Sequence, residues 1–286
     1  MRMENRVGGK GQVEVFDEAV FSKLSEEIVQ EARAKHPKVA EADILEVRQI
    51  VNTSLRMTVE FEGAAESRER KIHLDTDIVW PLSAVGAYST SVEFPPVETE
   101  DRYQKPWTKG MYRHLVRTGA ALIHEITAVR LGKDVCEITK EDIKTYGPWL
   151  LFNPAPGDKR HIEAVLAQPS IRIPPEKTFI YYHVIEEDGT LSPIQNTADQ
   201  VRGLRFPEGV SPRRILIVSP ATQLVRILFI LDNYRDRVDE NTVVQAFPIR
   251  IPKGGEIEYP KMEIEAILRY HYDFKKAGKN PYPYEL

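Results

Sequence analysis

The chain has 286 residues, with 39 Lys and Arg against 43 Asp and Glu, a formal net charge of −4, 42% hydrophobic residues and 29% charged ones. Such a chain folds as one elaborate domain or two small ones, at about 100–200 residues per domain, and its near-neutral balance argues against a general nucleic-acid coat, which needs clustered positive charge. A single cysteine, Cys136, excludes an internal disulfide framework and Cys-rich zinc or iron–sulfur sites, and points to a reducing compartment.

The amino terminus, Met1 to Gly11, is polar and Gly-rich, and no apolar run approaches the roughly 18 residues of a membrane span, so no export signal and no membrane partner are expected. Phe16 to Ala34 reads as a helix with Val20, Leu24, Ile28 and Ala32 on one stripe, closed soon afterwards by Pro37. From Leu55 the pattern has period two: Leu55, Met57, Val59 and Phe61 alternate with Arg56, Thr58, Glu60 and Glu62. Ile72, Leu74 and Ile78 alternate in the same way with Lys71, His73, Asp75 and Asp77, and Gly63 to Ser67 supplies a turn. This predicts a long, charged hairpin, an arm reaching out from a body or two meander strands of an ordinary sheet.

Val79 to Val97 reads as extended, and Trp107 to Leu131 as the best helix in the chain, with Leu115, Gly119, Leu122, Ile126 and Val129 on one stripe and Gly132 as its stop. At 1.5 Å per residue it is roughly 37 Å long. Short helices at Thr139 to Lys144 and Lys159 to Ala167 flank a turn, buried strand and turn at Tyr146-Gly-Pro-Trp-Leu-Leu-Phe-Asn-Pro154, giving a compact α/β lobe. Strands are expected at Phe179 to Ile185, Ile215 to Val218, Leu224 to Leu231 and Val243 to Ile251, with a hairpin turn at Glu187-Asp-Gly189. In the last element Met262, Ile264, Ala266, Leu268, Tyr270, Tyr272 and Phe274 occupy every even position, which predicts a strand of roughly 43 Å.

Several groupings could carry chemistry, and each has a plain structural alternative. His73, Asp75 and Asp77 could bind a divalent cation or be the solvent face of the arm. His124-Glu125 starts a zinc-protease helix pattern, but position 128 is Ala and the second histidine is missing. Cys136 has no nucleophile signature around it and reads as a small buried hydrophobe. Gly8-Gly-Lys-Gly11 lacks the spacing of a phosphate loop, and Ser219 lacks a nucleophile elbow and reads as a turn residue. Lys105, Trp107, Lys109, Tyr112 and Arg113 could form a single-strand nucleic-acid surface or a solvated helix entrance, and Tyr270, His271 and Tyr272 a stacking platform or a packed face. No catalytic residue, metal ligand set or cofactor site is read from these.

The fold class expected is α+β, with an extended hairpin arm, a long spine helix, a small α/β axial lobe and a strand-rich peripheral sheet. The order of elements, with the lobe opened by Gly147-Pro-Trp-Leu-Leu-Phe-Asn-Pro154, resembles the shell-protein fold shared by encapsulins and tailed-phage major capsid proteins. That resemblance implies an extended loop at Leu45 to Val79, a spine helix at Trp107 to Leu131, an axial lobe over about Val135 to Arg205 and a peripheral sheet completed by Leu224 to Phe274. The corresponding divisions are 1–44 as arm and helix, 45–79 as hairpin loop, 80–134 with 221–286 as peripheral domain, and 135–220 as axial lobe.

The resemblance further implies a non-enzymatic structural protein that self-assembles into a closed shell, virion or cytoplasmic, around a genome or cargo protein. Its assembly interface would use Arg56, Glu60, Glu62, Arg68, Glu69, Arg70, Lys71, Tyr270 and Tyr272, with charge setting the register between copies. Two other readings stand beside it. One is a metal-dependent nucleic-acid-processing enzyme or accessory factor with Asp75, Asp77 and Glu125 around the metal; the other is a smaller oligomeric virion or adaptor protein.

Overall fold

A computed structural model describes residues 18–66, 73–82, 106–250 and 258–277. In chain order the elements are α1 (Glu18–Lys35), α2 (Pro37–Ala40), α3 (Ile44–Glu66), β1 (Ile78–Pro81), α4 (Pro106–Leu131), α5 (Lys140–Tyr146), β2 (Trp149–Phe152), α6 (Lys159–Leu166) and β3 (Thr178–Ile180). They continue as β4 (His183–Ile185), β5 (Leu191–Pro193), α7 (Thr197–Arg202), β6 (Arg214–Pro220), α8 (Ala221–Asn233), β7 (Val243–Ile249) and α9 (Glu258–Lys276). The architecture is mixed α+β. The chain divides into two compact units: α1, α2, α3, α8 and α9 make the first, and α4 to α7 with the sheets make the second.

The first unit is a helical bundle, and it overturns the hairpin expected at 45–79. Residues 44–66 are the single helix α3, whose buried side chains are Val47, Ile50, Val51, Ser54, Leu55, Thr58, Glu62 and Ala65, spaced three and four apart. The apparent period of two arises because Ser54, Thr58 and Glu62 stand on the buried face in place of apolar residues. Thr58 Oγ1 is satisfied inside the helix by donating to the Ser54 carbonyl at 2.9 Å. The terminal strand expected at 262–274 is likewise the helix α9, with Glu263, Ile264, Ile267, Leu268, His271 and Tyr272 buried. Ile267, an apolar residue at an odd position, is the break in the alternation that marks the helical period. The strand expected at Leu224 to Leu231 is α8, eleven of whose residues are buried.

One core joins these helices: Leu24, Ile28 and Ala32 of α1, Val47, Ile50, Val51 and Leu55 of α3, Val225 of α8, and Ile264, Ile267 and Leu268 of α9. A fully buried ion pair crosses from α8 to α9, where Arg226 Nε donates to Glu263 Oε2 at 2.6 Å and Nη2 donates to Oε1 at 3.2 Å. Removing one partner of such a pair costs about 3–5 kcal/mol because the other charge stays buried, whereas replacing both with apolar residues is close to neutral. Glu263→Ala is therefore expected to unfold at markedly lower urea than the parent, and Arg226→Met with Glu263→Leu to recover most of the loss. A negligible effect of Glu263→Ala would show that water reaches the guanidinium.

The second unit is built on a five-stranded sheet in the order β3-β2-β1-β6-β7, with β1 parallel to both β2 and β6 and β2 parallel to β3. Parallel strands covered by helices read as unbroken apolar runs, and the buried runs Ile78-Val-Trp80, Leu150-Leu-Phe152 and Ile215-Leu-Ile-Val218 follow that rule. The segment expected as one strand from Phe179 to Ile185 is broken at Tyr181 and Tyr182: β3 joins the large sheet, while β4 pairs with β5 as an antiparallel hairpin. Its turn is the one expected at Glu187-Asp-Gly189, with Gly189 at a φ of +81°. The grouping differs from the expected divisions as well, since the long helix α4 joins the lobe at 135–219 and the segments at 221–233 and 258–276 join the amino-terminal helices.

Helix α4 agrees with its expected span and lays Leu115, Val116, Ala120, Ile123 and Ile126 into the core, although Val129, placed on the same stripe, is exposed. It approaches the sheet closely at Gly119, where an added Cβ would lie 2.8 Å from Pro81 Cγ and 3.5 Å from Leu150 Cδ1. The proline ring cannot rotate away. Overpacking of this kind costs about 1–3 kcal/mol, against roughly 1 kcal/mol gained in helix propensity. Gly119→Ala is expected to lower stability by about 1 kcal/mol in urea unfolding. Unchanged or higher stability would mean that Pro81 yields.

Candidate functional site

The strand order sets where a ligand can sit on the second unit. From β1 the chain steps outward through β2 to β3, then returns to β6 on the other side of β1 and ends at β7. The winding direction therefore reverses between β1 and β6, and in open α/β sheets ligands bind in the crevice outside the carboxyl ends of the strands at such a reversal.

The two edges of the sheet differ chemically. At the amino edge, Asp77 leads into β1 and accepts from the Arg213 main-chain nitrogen at 2.9 Å and from the Arg213 guanidinium at 3.0 Å. Burial alone would raise the Asp77 carboxyl; the Arg213 hydrogen bonds outweigh it and hold the group below its ordinary value. Asp75 is bound by Arg214 Nε at 2.9 Å. Arg130 at the end of α4 donates to the carbonyls of Leu74, Thr76 and Tyr146, closing the turns that enter β1 and β2. Here positive and negative groups are matched and serve to fasten strands.

At the carboxyl edge the chain collects buried polar side chains instead. Asn153 follows β2 directly and is fully buried. Its Oδ1 accepts from Trp80 Nε1 at 2.8 Å, its Nδ2 donates to the Tyr181 hydroxyl at 3.1 Å and the Gln200 carbonyl at 2.7 Å, and its own carbonyl accepts from Gln200 Nε2 at 3.0 Å. One side chain thus ties together the ends of β1, β2 and β3 and the helix α7. The Tyr181 hydroxyl also accepts from the Arg205 main-chain nitrogen at 3.2 Å, and burial pushes that hydroxyl far above its ordinary pKa. At the end of β6, Ser219 Oγ donates to the Leu82 carbonyl at 3.1 Å, and Thr197 Oγ1, buried in the first turn of α7, has no hydrogen-bond partner among the described residues.

Among the described residues, those singled out from the sequence form no common site. Arg56 and Glu60 are exposed on α3, Glu62 is buried on the same helix, and Arg68, Glu69, Arg70 and Lys71 lie outside the described residues. Tyr270 and Tyr272 stand on α9, where Tyr272 is buried and its hydroxyl donates to Glu46 Oε2 at 3.3 Å. Glu46 also binds Lys275 Nζ at 2.8 Å and His271 Nε2 at 3.2 Å, so Tyr272 and His271 are packing residues of the bundle. Asp75 and Asp77 are taken up by arginines, and no group of three metal-ligating side chains forms among the described residues. Cys136 is exposed, contrary to its expected burial. Ser219 lies within β6, not in a turn. Trp107, Lys109, Tyr112 and Arg113 fall in the first turns of α4, while Lys105 and Gly8 to Gly11 lie outside the described residues.

Asn153, Thr197, Gln200 and Arg205 were not anticipated. The available signals were an Asn directly after a buried apolar run and the Asn196-Thr-Ala-Asp199 cap, in which Asp199 N donates to Asn196 Oδ1 at 3.0 Å. No family model matches this chain, and no curated protein or solved structure matches it either.

His124, in the middle of α4, is 5% exposed; its Nε2 lies 3.4 Å from the Ile171 carbonyl and its Nδ1 is buried with no partner among the described residues. Burial lowers its pKa below the ordinary imidazole value of about 6.5. Above that value both folded and unfolded forms are neutral there and the ring contributes no pH dependence. As pH falls below it the unfolded chain takes up a proton first, and stability is lost until the depressed folded value is reached. The gap in stability between the parent and His124→Gln is expected to shift in favour of the variant between about pH 7.5 and about pH 5, measured by urea unfolding at each pH. A gap independent of pH would show that the ring is already hydrated in the fold.

Proposed function

We propose that the protein binds a small polar molecule at the carboxyl edge of the parallel sheet, in the crevice marked by the reversal between β1 and β6. The observation that carries this reading is the concentration of buried hydrogen-bonding side chains at that one edge, around Asn153, while the opposite edge is neutralised by matched ion pairs. The Asn153 and Gln200 amides and the Tyr181 hydroxyl are bonded to one another and to neighbouring groups inside the fold, so they hold the strand ends rigid, and a preorganised edge is how an α/β scaffold orients a ligand with little loss of entropy. No catalytic step is assigned to them.

A self-assembling shell around a genome or cargo, in a virion or the cytoplasm, was implied by a hairpin arm and a long terminal strand. The first strand of that arm lies in the helix α3 and the terminal strand is the helix α9, while residues 67–72 of the arm lie outside the described residues. Asp75 and Asp77, two of the three carboxylates of the metal-dependent alternative, are occupied by Arg214 and Arg213. Among the described residues no helix is long and apolar enough to cross a membrane.

The test is a thermal-shift screen of a library of small polar compounds, with hits mapped by amide chemical-shift changes on the full chain. Compounds that stabilise the protein are expected to move the amides of residues 153, 181, 197, 200 and 205. Hits that move only residues of the helical bundle or the amino edge would overturn the reading.

A further inference from the structure

The small hairpin carries its apolar residues on the side that faces water. In the register of β4 with β5, His183 faces Pro193, Val184 faces Ser192 and Ile185 faces Leu191, so the side chains alternate between two faces. The inner face is fastened to α7: Val184 is buried, its Cγ2 2.9 Å from where a Cβ on Gly203 would stand, and Arg202 Nη2 donates to Glu186 Oε1 at 3.1 Å. The outer face carries Ile185 and Leu191 as a direct cross-strand pair, 51% and 62% exposed, with Pro193 exposed beside them. A firmly held hairpin thus keeps a row of apolar side chains in solvent.

Its two edges differ. The Ile194 N–H donates to the Tyr182 carbonyl and the Glu186 N–H to the Thr190 carbonyl, which makes Val184 and Ser192 the pair that exchanges hydrogen bonds and turns the main-chain groups of His183, Ile185, Leu191 and Pro193 outward. On β5 that edge is blunted by Pro193, which has no N–H to offer. On β4, His183 and Ile185 each present an N–H and a C=O, and among the described residues no strand pairs with that side. An edge of this kind is a template for a further strand.

Charge selects the strand. At the turn, Glu187 and Asp188 are exposed and pair with no cation among the described residues; the Asp188 carboxylate accepts only from Thr190 there. At the other end of β4, the Arg205 guanidinium stands 4.2 Å from the Tyr181 ring centroid with no carboxylate partner among the described residues. Lys159 Nζ stands 5.8 Å from the ring of Tyr182, and its ion pair with Glu163 is a loose 4.0 Å. The hairpin therefore runs from a cationic base to an acidic tip, roughly 16 Å from residue 182 to residue 187 at about 3.3 Å per residue. A strand bearing one sign of charge would be attracted at one end and repelled at the other. A second copy laid antiparallel along β4 sets base against tip twice, because a two-fold axis repeats each contact in both directions.

We propose that β4 is a dimerisation edge, along which two copies of the chain pair antiparallel about Val184 so that their hairpins form one continuous sheet. His183 of each copy exchanges main-chain hydrogen bonds with Ile185 of the other, and the base of each β4 lies beside the turn of the other. The two Ile185 side chains then stand on one face in diagonal positions, roughly 7–8 Å apart, and shield one another from water. So short a seam buries less than the roughly 800 Å² per partner of a stable interface, so the dimer dissociates on dilution. This pairing does not depend on the ligand proposed for the edge of the large sheet.

The experiment is sedimentation velocity on the full chain at low ionic strength, from about 5 to about 500 μM, with amide chemical shifts followed over the same range. The mean mass is expected to rise from 32.7 kDa toward twice that value, with the amides of residues 183 and 185 moving in step. Ile185→Pro removes an outward N–H while leaving the bonds between β4 and β5 in place, and is expected to stay monomeric throughout. Glu187→Lys is expected to weaken the dimer about tenfold, since the axis counts each charge pair twice, and adding Lys159→Glu to recover part of that loss. A monomer at every concentration overturns the proposal, as does a dimer that leaves the amides of 183 and 185 unmoved or that a folded Ile185→Pro leaves at parental strength. Should Ile185→Pro fail to fold by circular dichroism, Glu187→Lys decides, because Glu187 is exposed in the turn; parental strength there overturns the proposal equally.

Discussion

The Asn153 amide has one acceptor and two donors, and all three are used inside the fold, on the Trp80 indole, the Tyr181 hydroxyl and the Gln200 carbonyl. Those partners belong to two strand ends and a helix that are far from Asn153 in the chain. Because the group is fully buried, each lost bond would leave a desolvated polar atom without compensation, at about 1–3 kcal/mol apiece. The geometry of the carboxyl edge is thus held by a network that is satisfied or badly penalised, with little between. Everything proposed for that edge depends on this rigidity: Tyr181 is positioned by Asn153, and Arg205 is seated on Tyr181.

The same logic appears in the helical bundle with charges in place of amides. Arg226 and Glu263 face one another between α8 and α9, and Glu46 of α3 gathers His271, Tyr272 and Lys275 of α9. Burial alone would raise the Glu46 carboxyl, and the hydrogen bonds from Lys275 and His271 outweigh it and keep the group ionised. Apolar faces would let helices slide or rotate against each other with small loss. A buried pair allows one register only, since a displaced charge has no partner. Around the rim, Lys261 bridges Glu27 and Glu31, and Lys35 binds Glu265, so α1 and α9 are also joined by ion pairs that each have one partner open to solvent.

These polar contacts also explain which elements were legible. Helices α1 and α5 and strand β2 have buried faces that are mainly apolar, and α4 and β6 keep long apolar stripes around their buried His124, Thr127, Arg214 and Ser219, so periodicity gave the type and position of all five. Helices α3 and α9 bury Ser54, Thr58 and Glu62, and Glu263 and His271; with those polar residues on the buried stripe, a 3.6-residue repeat is disguised as alternation. Helix α8 is buried over eleven residues in a row, Thr222, Gln223 and Arg226 among them, and a segment buried on every side carries no period from which to choose between strand and helix.

What the sequence determined by itself was local: an α+β content, the long helix after residue 106, the buried strand within 146–154 and the strand at 215–218, the hairpin turn at Gly189, and the exclusion of disulfide and cysteine-based metal sites. Tertiary structure decided which apolar runs pair into a parallel sheet, where its winding reverses, and which buried polar side chains meet. Glu263 reads as a surface residue until Arg226, 37 positions away, faces it, and Asn153 as a turn residue until Trp80 and Gln200 close around it. Hydrophobic periodicity reports burial of an element's own face. The pairing that makes a buried polar group affordable is a property of two segments at once, so no single stretch of sequence records it.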